Sequence, residues 1–173
     1  MNKIVIIING RGGAGKDTFC DISARYYDVT NVSSITPVKN LAELCGWKGE
    51  KNDKSRRFLS DLKRLLTEYN DYPNQYLVEQ YKEFLKDDKE IMFVHIRECG
   101  EIDKFKSNVE VPCITLLIRR SNEEEIQWGN VSDDEVENYK YDYIFDNNGP
   151  LKDMEHKFIE FLEKVLEEIG KVR

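Results

Sequence analysis

From Gly10 to Thr18 the chain reads GRGGAGKDT. Residues of these types at this spacing suit the capture of a phosphate chain. Gly10 and Gly15 hold the two fixed glycine positions of a GxxxxGK loop, where backbone N–H groups can turn inward on an anion. Lys16 follows, placed to meet the β- and γ-phosphates. Gly12 and Gly13 add freedom for positive φ, and Ala14 lets the loop wrap closely. Asp17 departs from the usual pattern, because a Ser or Thr hydroxyl normally stands there to bind Mg²⁺. A carboxylate beside phosphates is tolerable mainly when a metal or its water shell offsets the charge, so Asp17 is a candidate metal contact. The alternative is a first-turn carboxylate favoured by the helix dipole, with Thr18 taking the metal role or none. A plain glycine-rich turn would also fit the glycines; the strand, lysine and helix found together weigh against it.

Such a loop needs a strand to deliver it and a helix N-terminus behind it. Lys3 to Ile8 supplies the strand, and Thr18 to Tyr27 is expected to form the helix. Asn31 to Ile35, Ile91 to Ile96, Cys113 to Ile118 and Tyr143 to Phe145 also read as strands, with amphipathic stretches between them. The alternation predicts an α/β fold in which a parallel sheet is covered by helices on both faces. Phe58, Leu62, Leu65, Leu66 and Tyr69 share one helical face, as do Leu77, Val78, Tyr81, Phe84 and Leu85. After Asn148, Gly149 and Pro150 the last helix carries Leu151, Met154, Phe158, Phe161, Leu162, Val165, Leu166 and Ile169 at helical spacing. That stripe is expected to pack on the sheet rather than form a dimer seam.

The 173 residues suit one domain with a substantial core. With 26 Lys plus Arg against 33 Asp plus Glu, the net charge of −7 has the wrong sign for general attraction to a phosphate polymer. The apolar run Ile4 to Ile8 is too short for a membrane span or a secretory signal, so a soluble, cytoplasmic protein is expected. Cys20, Cys45, Cys99 and Cys113 are widely spread, with no CxxC pair and two histidines in the chain, which favours reduced thiols over a zinc site.

The GKDT form of the loop, with its upstream strand, resembles that of the phage-type deoxynucleoside monophosphate kinases, adenylate kinase relatives among the P-loop kinases. VHIRECGE is similar to the family's strand ending in D-x-R with an acidic residue four positions on, which maps Arg97 and Glu101 and leaves His95 where the Asp belongs. SITPVKNLAELCGW resembles the helix that enters with a lysine, mapping Lys39, and KSRRFLSDLKRLL the substrate-side helix, mapping Arg56 and Arg57. LLIRRS supplies Arg119 and Arg120, and DYIFDNNGPL resembles the closing strand with its Asn-x-Gly turn, mapping Asn147 and Gly149.

This resemblance implies a three-layer α/β/α P-loop kinase fold with a five-stranded parallel sheet over residues 1–173. It places a substrate-side helical insertion at about 37–88 and a short lid region at about 119–140. It also implies ATP and Mg²⁺, with Gly10, Gly12, Gly13, Ala14, Gly15, Lys16, Asp17, Thr18 and Asn147 on the nucleotide and metal side. Lys39, Arg56, Arg57, Arg97 and Glu101 would serve the acceptor, and Lys16, Arg97, Arg119 and Arg120 the transfer itself.

The residues carry part of this independently. Arg97 sits at the carboxyl end of a strand, where open α/β sheets bind ligands, and its fork suits a monophosphate. Arg56 and Arg57 lie on a helix beside Asp61, so one of them can simply form a surface pair. A histidine at position 95 is more often a near-core residue than an acid–base group, and phosphoryl transfer needs little covalent help. Against the kinase reading, the segment 121–139 carries Glu123, Glu124, Glu125, Asp133, Asp134, Glu135 and Glu137 and no Lys or Arg, unlike an Arg-bearing lid. Within it, Trp128 suits either a base cover or an exposed loop, and Ser132 a helix cap.

Three readings stand. The first is an ATP-dependent kinase of a nucleoside or deoxynucleoside monophosphate, acting as monomer or homodimer without polymeric nucleic acid or membrane. The second is a P-loop kinase of another small phosphorylated metabolite, since phosphomevalonate kinases of the animal type carry a similar GKD. The third is a nucleotide-binding protein without turnover.

Overall fold

The computed structural model describes residues 3–120 and 135–171. Most of the expected lid, including Glu123, Glu124, Glu125, Trp128, Ser132, Asp133 and Asp134, lies outside the described residues.

Strand β1 (Ile4–Asn9) is buried along its whole length, as a near-continuous apolar run requires when both sheet faces are covered. With β2 (Val29–Ser33), β3 (Ile91–His95), β4 (Cys113–Arg119) and β5 (Tyr143–Asp146) it forms a sheet of order β2-β3-β1-β4-β5. Every neighbouring pair is parallel. The strand following β1 in sequence lies beyond β3, so the chain leaves β1 in one direction and later fills the other side with β4. The carboxyl end of β1 is therefore a switch point, the place where open α/β sheets form ligand crevices.

Alternation along β1 sorts its side chains onto two layers. Ile4, Ile6 and Ile8 join Phe93 and Leu116 beneath helices α1 (Lys16–Ser23) and α6 (Leu151–Lys171). Val5 and Ile7 face Leu77, Tyr81 and Phe84 of α4 (Tyr72–Lys86) and Ile102 and Phe105 of α5 (Cys99–Lys106). Phe19 pins α1 to the first layer through edge contacts to Phe93 at 6.0 Å and Phe158 at 4.9 Å between ring centroids. The three-layer α/β/α fold with five parallel strands is thus the one expected. Met154, Phe158, Leu162 and Val165 of α6 are buried in it, so the terminal stripe packs on the sheet.

Between β2 and β3 run α2 (Thr36–Leu44), α3 (Asp53–Asn70) and α4. Asn52 caps α3 by accepting a hydrogen bond from Ser55 N at 2.8 Å. Asp71, with φ 57°, turns the corner into α4, whose start suits Pro73.

Three local expectations shift. Strand β2 lies two residues earlier than Asn31 to Ile35: its register with β3 runs from Val29 to Ser33, and Ile35 is already the N-cap of α2. Helix α1 starts at Lys16 and stops at Ser23 rather than running from Thr18 to Tyr27. Its start follows from the turn at Gly15; its end coincides with the back-bond of Ser23 Oγ to Phe19 O at 2.7 Å. On α3, Phe58, Leu65 and Tyr69 are 38%, 54% and 86% exposed, so the expected core face meets the protein along one flank only. Among the described residues no helix is long and apolar enough to cross a membrane.

Candidate phosphate-binding site

Asn9 ends β1 as the one polar residue in IVIIIN, buried and fully engaged. Its Oδ1 accepts from Gly10 N at 2.9 Å, and its Nδ2 donates to Arg97 O at 3.1 Å and Tyr141 Oη at 2.9 Å. Tyr141 in turn donates to Val136 O at 2.5 Å. One side chain thereby ties together the loop after β1, the exit of β3 and the segment entering β5.

Beyond Asn9 the loop turns through Gly10, Gly13 and Gly15, with φ of 152°, 79° and 102°. Gly12, expected to share this freedom, is not a positive-φ residue. A Cβ on Gly10 would overlap the Ile118 carbonyl oxygen, and one on Gly15 would lie 2.6 Å from Asn147 Nδ2. Asn147 is itself buried, donating Nδ2 to Ala14 O at 3.0 Å while its backbone N donates to Arg119 O at 2.7 Å. Its amide thus braces the loop.

Gly15 is the N-cap of α1 and has no side chain with which to cap it, and a helix N-terminus of this kind suits an anion. Lys16 Nζ donates to Gly10 O at 2.5 Å and Arg11 O at 3.0 Å, lying across the mouth of its own loop. Asp17 and Thr18 are exposed in the same turn. No group of three His, Cys, Asp or Glu suited to a metal occurs among the described residues. The donor set fits Mg²⁺ nonetheless, since that ion is commonly held by one or two carboxylates together with substrate phosphates and water.

Around the loop, further cations have defined surroundings. Arg119 donates Nε and Nη2 to the Asp146 carboxylate at 2.7 and 3.1 Å, across the β4–β5 register in which these two residues are partners. Arg120 follows, half-buried. Arg11 Nε lies 3.7 Å from Glu137. Arg97 is exposed just past β3, next to the loop in space through the shared Asn9.

His95, the last residue of β3, has Nε2 at 2.8 Å from Asn31 Oδ1 and 3.6 Å from Cys20 Sγ. Burial holds its pKa down at about 4, so the ring is neutral near pH 7 and a protonated Nε2 donates to Asn31. The same burial, helped by Asp17 and Asp21, pushes the Cys20 thiol far up, leaving it unionised.

Of the residues expected to serve an acceptor, Lys39 is exposed on α2. Arg57 lies 3.8 Å from Asp61, the surface pair that the sequence left open, and Arg56 lies 3.4 Å from Asp53. Seven residues is close to two helical turns, which puts Arg56 on the face of α3 that carries Lys63; Arg57 lies about 100° further round. Glu101 pairs with Lys104 at 3.1 Å, and Lys104 also reaches Asp71 at 3.1 Å, which directs this carboxylate toward the α3–α4 corner.

Sequence reasoning missed three participants. Asn9 and Tyr141 are two, and the lone polar residue closing an apolar strand was a usable signal for the first. The third is Lys63, whose Nζ lies 2.5 Å from Glu98 Oε2 and 3.3 Å from Ser34 Oγ. A lysine on a charged helix carries no local mark of such a contact.

No family model matches the chain. No curated protein matches it either. Its fold is similar to that of TT1252 from Thermus thermophilus, 17% identical with a TM-score of 0.55 over 97% of this chain and 98% of that one. A candidate kinase from Chloroflexus aurantiacus is 10% identical, with a TM-score of 0.56 over 96% and 97% of the two chains. The tunicamycin resistance protein of Deinococcus radiodurans is 13% identical, with a TM-score of 0.55 over 95% and 96%. These likenesses run through nearly the whole of each chain and, with the loop and the strand order, define the fold as that of the P-loop kinases.

Proposed function

We propose that this chain is an ATP-dependent phosphotransferase that converts a nucleoside or deoxynucleoside monophosphate to the diphosphate. The observation that carries the reading is the loop itself. Its positive-φ glycines, the glycine-capped start of α1 and Lys16 converge at the switch point of the sheet, with Arg97 at the end of the adjacent strand. The choice of acceptor is supported by the GKDT resemblance and by the arginines of the β3 exit and α3.

In this scheme the donor's phosphates lie over the N–H groups of the loop and the first turn of α1. Lys16 exchanges its carbonyl partners at Gly10 and Arg11 for phosphate oxygens, gaining ion pairs with charged acceptors in place of bonds to neutral ones. Asp17, with Thr18, would hold Mg²⁺, which when bound offsets the phosphate charge. Arg97 and Arg56 bind the acceptor phosphate, and Lys39 and Glu101 contribute at the edge of its pocket. Arg119 and Arg120 stabilise the transferred group from the end of β4. Positioning and charge do the work, so no general base is required. His95 is held neutral by its surroundings and serves packing between β2 and α1.

The test is to incubate the protein with ATP and Mg²⁺ against the common ribo- and deoxynucleoside monophosphates and follow diphosphate formation. Transfer to one or a few acceptors is expected, reduced by about a hundredfold or more in Lys16→Ala. ATP binding with no transfer to any of them would refute the reading and favour another phosphorylated acceptor or a role in binding.

A further inference from the structure

We propose that Lys63 and Glu98 act together as positioning residues for the acceptor clamp, holding α3 against the exit of β3 so that Arg56 and Arg97 address the same phosphate. The proposal rests on the transferase reading above.

The exit of β3 is gripped at three successive points. Ser34 N donates to His95 O at 3.1 Å. Asn9 Nδ2 donates to Arg97 O at 3.1 Å from the side of the phosphate loop. Lys63 Nζ holds the Glu98 carboxylate at 2.5 Å and reaches Ser34 Oγ at 3.3 Å. Of these three grips, the last reaches across from α3. It joins that helix to the turn before α2 and to the residue that opens α5.

Its chemistry argues for placement rather than stability. The Lys63 side chain is 13% exposed and that of Glu98 33%. Removing an ammonium and a carboxylate from water carries a desolvation cost that their attraction roughly offsets, so an apolar pair of similar volume would serve cohesion as well. What an ion pair adds is a fixed direction and length. Arg56 lies two turns ahead of Lys63, about 10 Å along the same face. Fixing Lys63 to Glu98 therefore fixes where Arg56 lies relative to Arg97, the residue adjacent to Glu98.

A competing arrangement is that Lys63 binds the acceptor phosphate directly and rests on Glu98 between turnovers. The two differ in sign. If Lys63 is a ligand, neutralising Glu98 frees it and tightens the acceptor; if the pair is a brace, neutralising either partner loosens the acceptor.

The experiment measures kcat and both KM values for the parent, K63M, E98Q, the double variant and K63R, using the nucleoside monophosphate on which the parent is fastest. The brace predicts that K63M and E98Q each raise the acceptor KM by about ten- to a hundredfold while leaving the KM for ATP within about twofold. The double variant is then no worse than the worse single one, and K63R recovers most of the loss by keeping the charge pair. A lower acceptor KM in E98Q, or an unchanged one in both single variants, overturns the brace while the parent's activity keeps the transferase reading intact. A parent that transfers to no nucleoside monophosphate overturns both. E98Q is isosteric and carries the test alone if K63M does not fold.

Discussion

Replacing Gly15 by Ala tests the geometry on which the phosphate loop depends. Two costs follow from the structure. At φ +102° an L side chain is strained, at about 1–3 kcal/mol. The new methyl would also lie 2.6 Å from Asn147 Nδ2, forcing that buried amide away from Ala14 O and orphaning a donor and an acceptor, about another 1–3 kcal/mol. Together the loss is about 2–6 kcal/mol, a large part of the total stability of an ordinary domain, about 5–15 kcal/mol. Urea unfolding measures it as a lower midpoint at unchanged slope. Gly100→Ala is the matched control. It lies within α5 with nothing within 4 Å of its added Cβ, so it should gain up to about 1 kcal/mol. In an Asn147→Ala background the contact cost disappears and the backbone strain remains, so the penalty for Gly15→Ala should fall by roughly half. A penalty below about 0.5 kcal/mol in the parent would refute the argument that this turn and its amide brace define the loop.

Two further outcomes follow from the site. The folded protein holds His95 neutral down to about pH 4 whereas the unfolded chain protonates it near 6.5, so its contribution is full above pH 6.5 and is lost as pH falls toward 4. Urea titrations across that window should show the parent losing at most about 3 kcal/mol more than His95→Asn; identical slopes would remove His95 from the account. On α3, Arg56→Ala should raise the acceptor KM about tenfold or more while Arg57→Ala changes it less than twofold, because Arg56 shares the face of Lys63 and Arg57 is turned toward Asp61. Equal effects of the two would mean that the helix is rotated relative to the acceptor.

What could be read in advance was what nearby residues decide among themselves. The loop is nine residues whose glycines, lysine and flanking strand need no distant partner to be recognised, and the parallel sheet follows from apolar runs separated by amphipathic ones. Edges were harder. In β2 a single residue, Val32, is buried, so apolar pattern does not fix its register, and the strand begins two residues before the pattern suggests. The face of α3 misled for a related reason: periodicity records that Phe58, Leu62, Leu65, Leu66 and Tyr69 line up, but not that a helix in a crossover meets the protein along one flank. Asn147 is legible as a residue of the Asn-x-Gly turn, but its bond to Ala14 O, 133 residues earlier in the chain, is not. Such pairings, like that of Lys63 with Glu98, come from sheet order and crossovers, which set distances that sequence separation does not.

The chain is acidic overall, so a polyphosphate must be attracted by local cations rather than by net charge. How those cations are held divides them by role. Lys16 donates to two backbone carbonyls, neutral acceptors that a phosphate oxygen can outcompete. Arg119 sits in a two-point bond to a carboxylate on the neighbouring strand, an arrangement that a single incoming oxygen would not readily displace. In the proposed scheme Arg119 is therefore oriented in advance, presenting what remains of its guanidinium edge from a fixed position, while Lys16 exchanges carbonyl partners for the donor. In the same scheme Lys63 belongs with Arg119: its carboxylate partner fixes it, and the effect proposed for it on the acceptor passes through the elements that it joins.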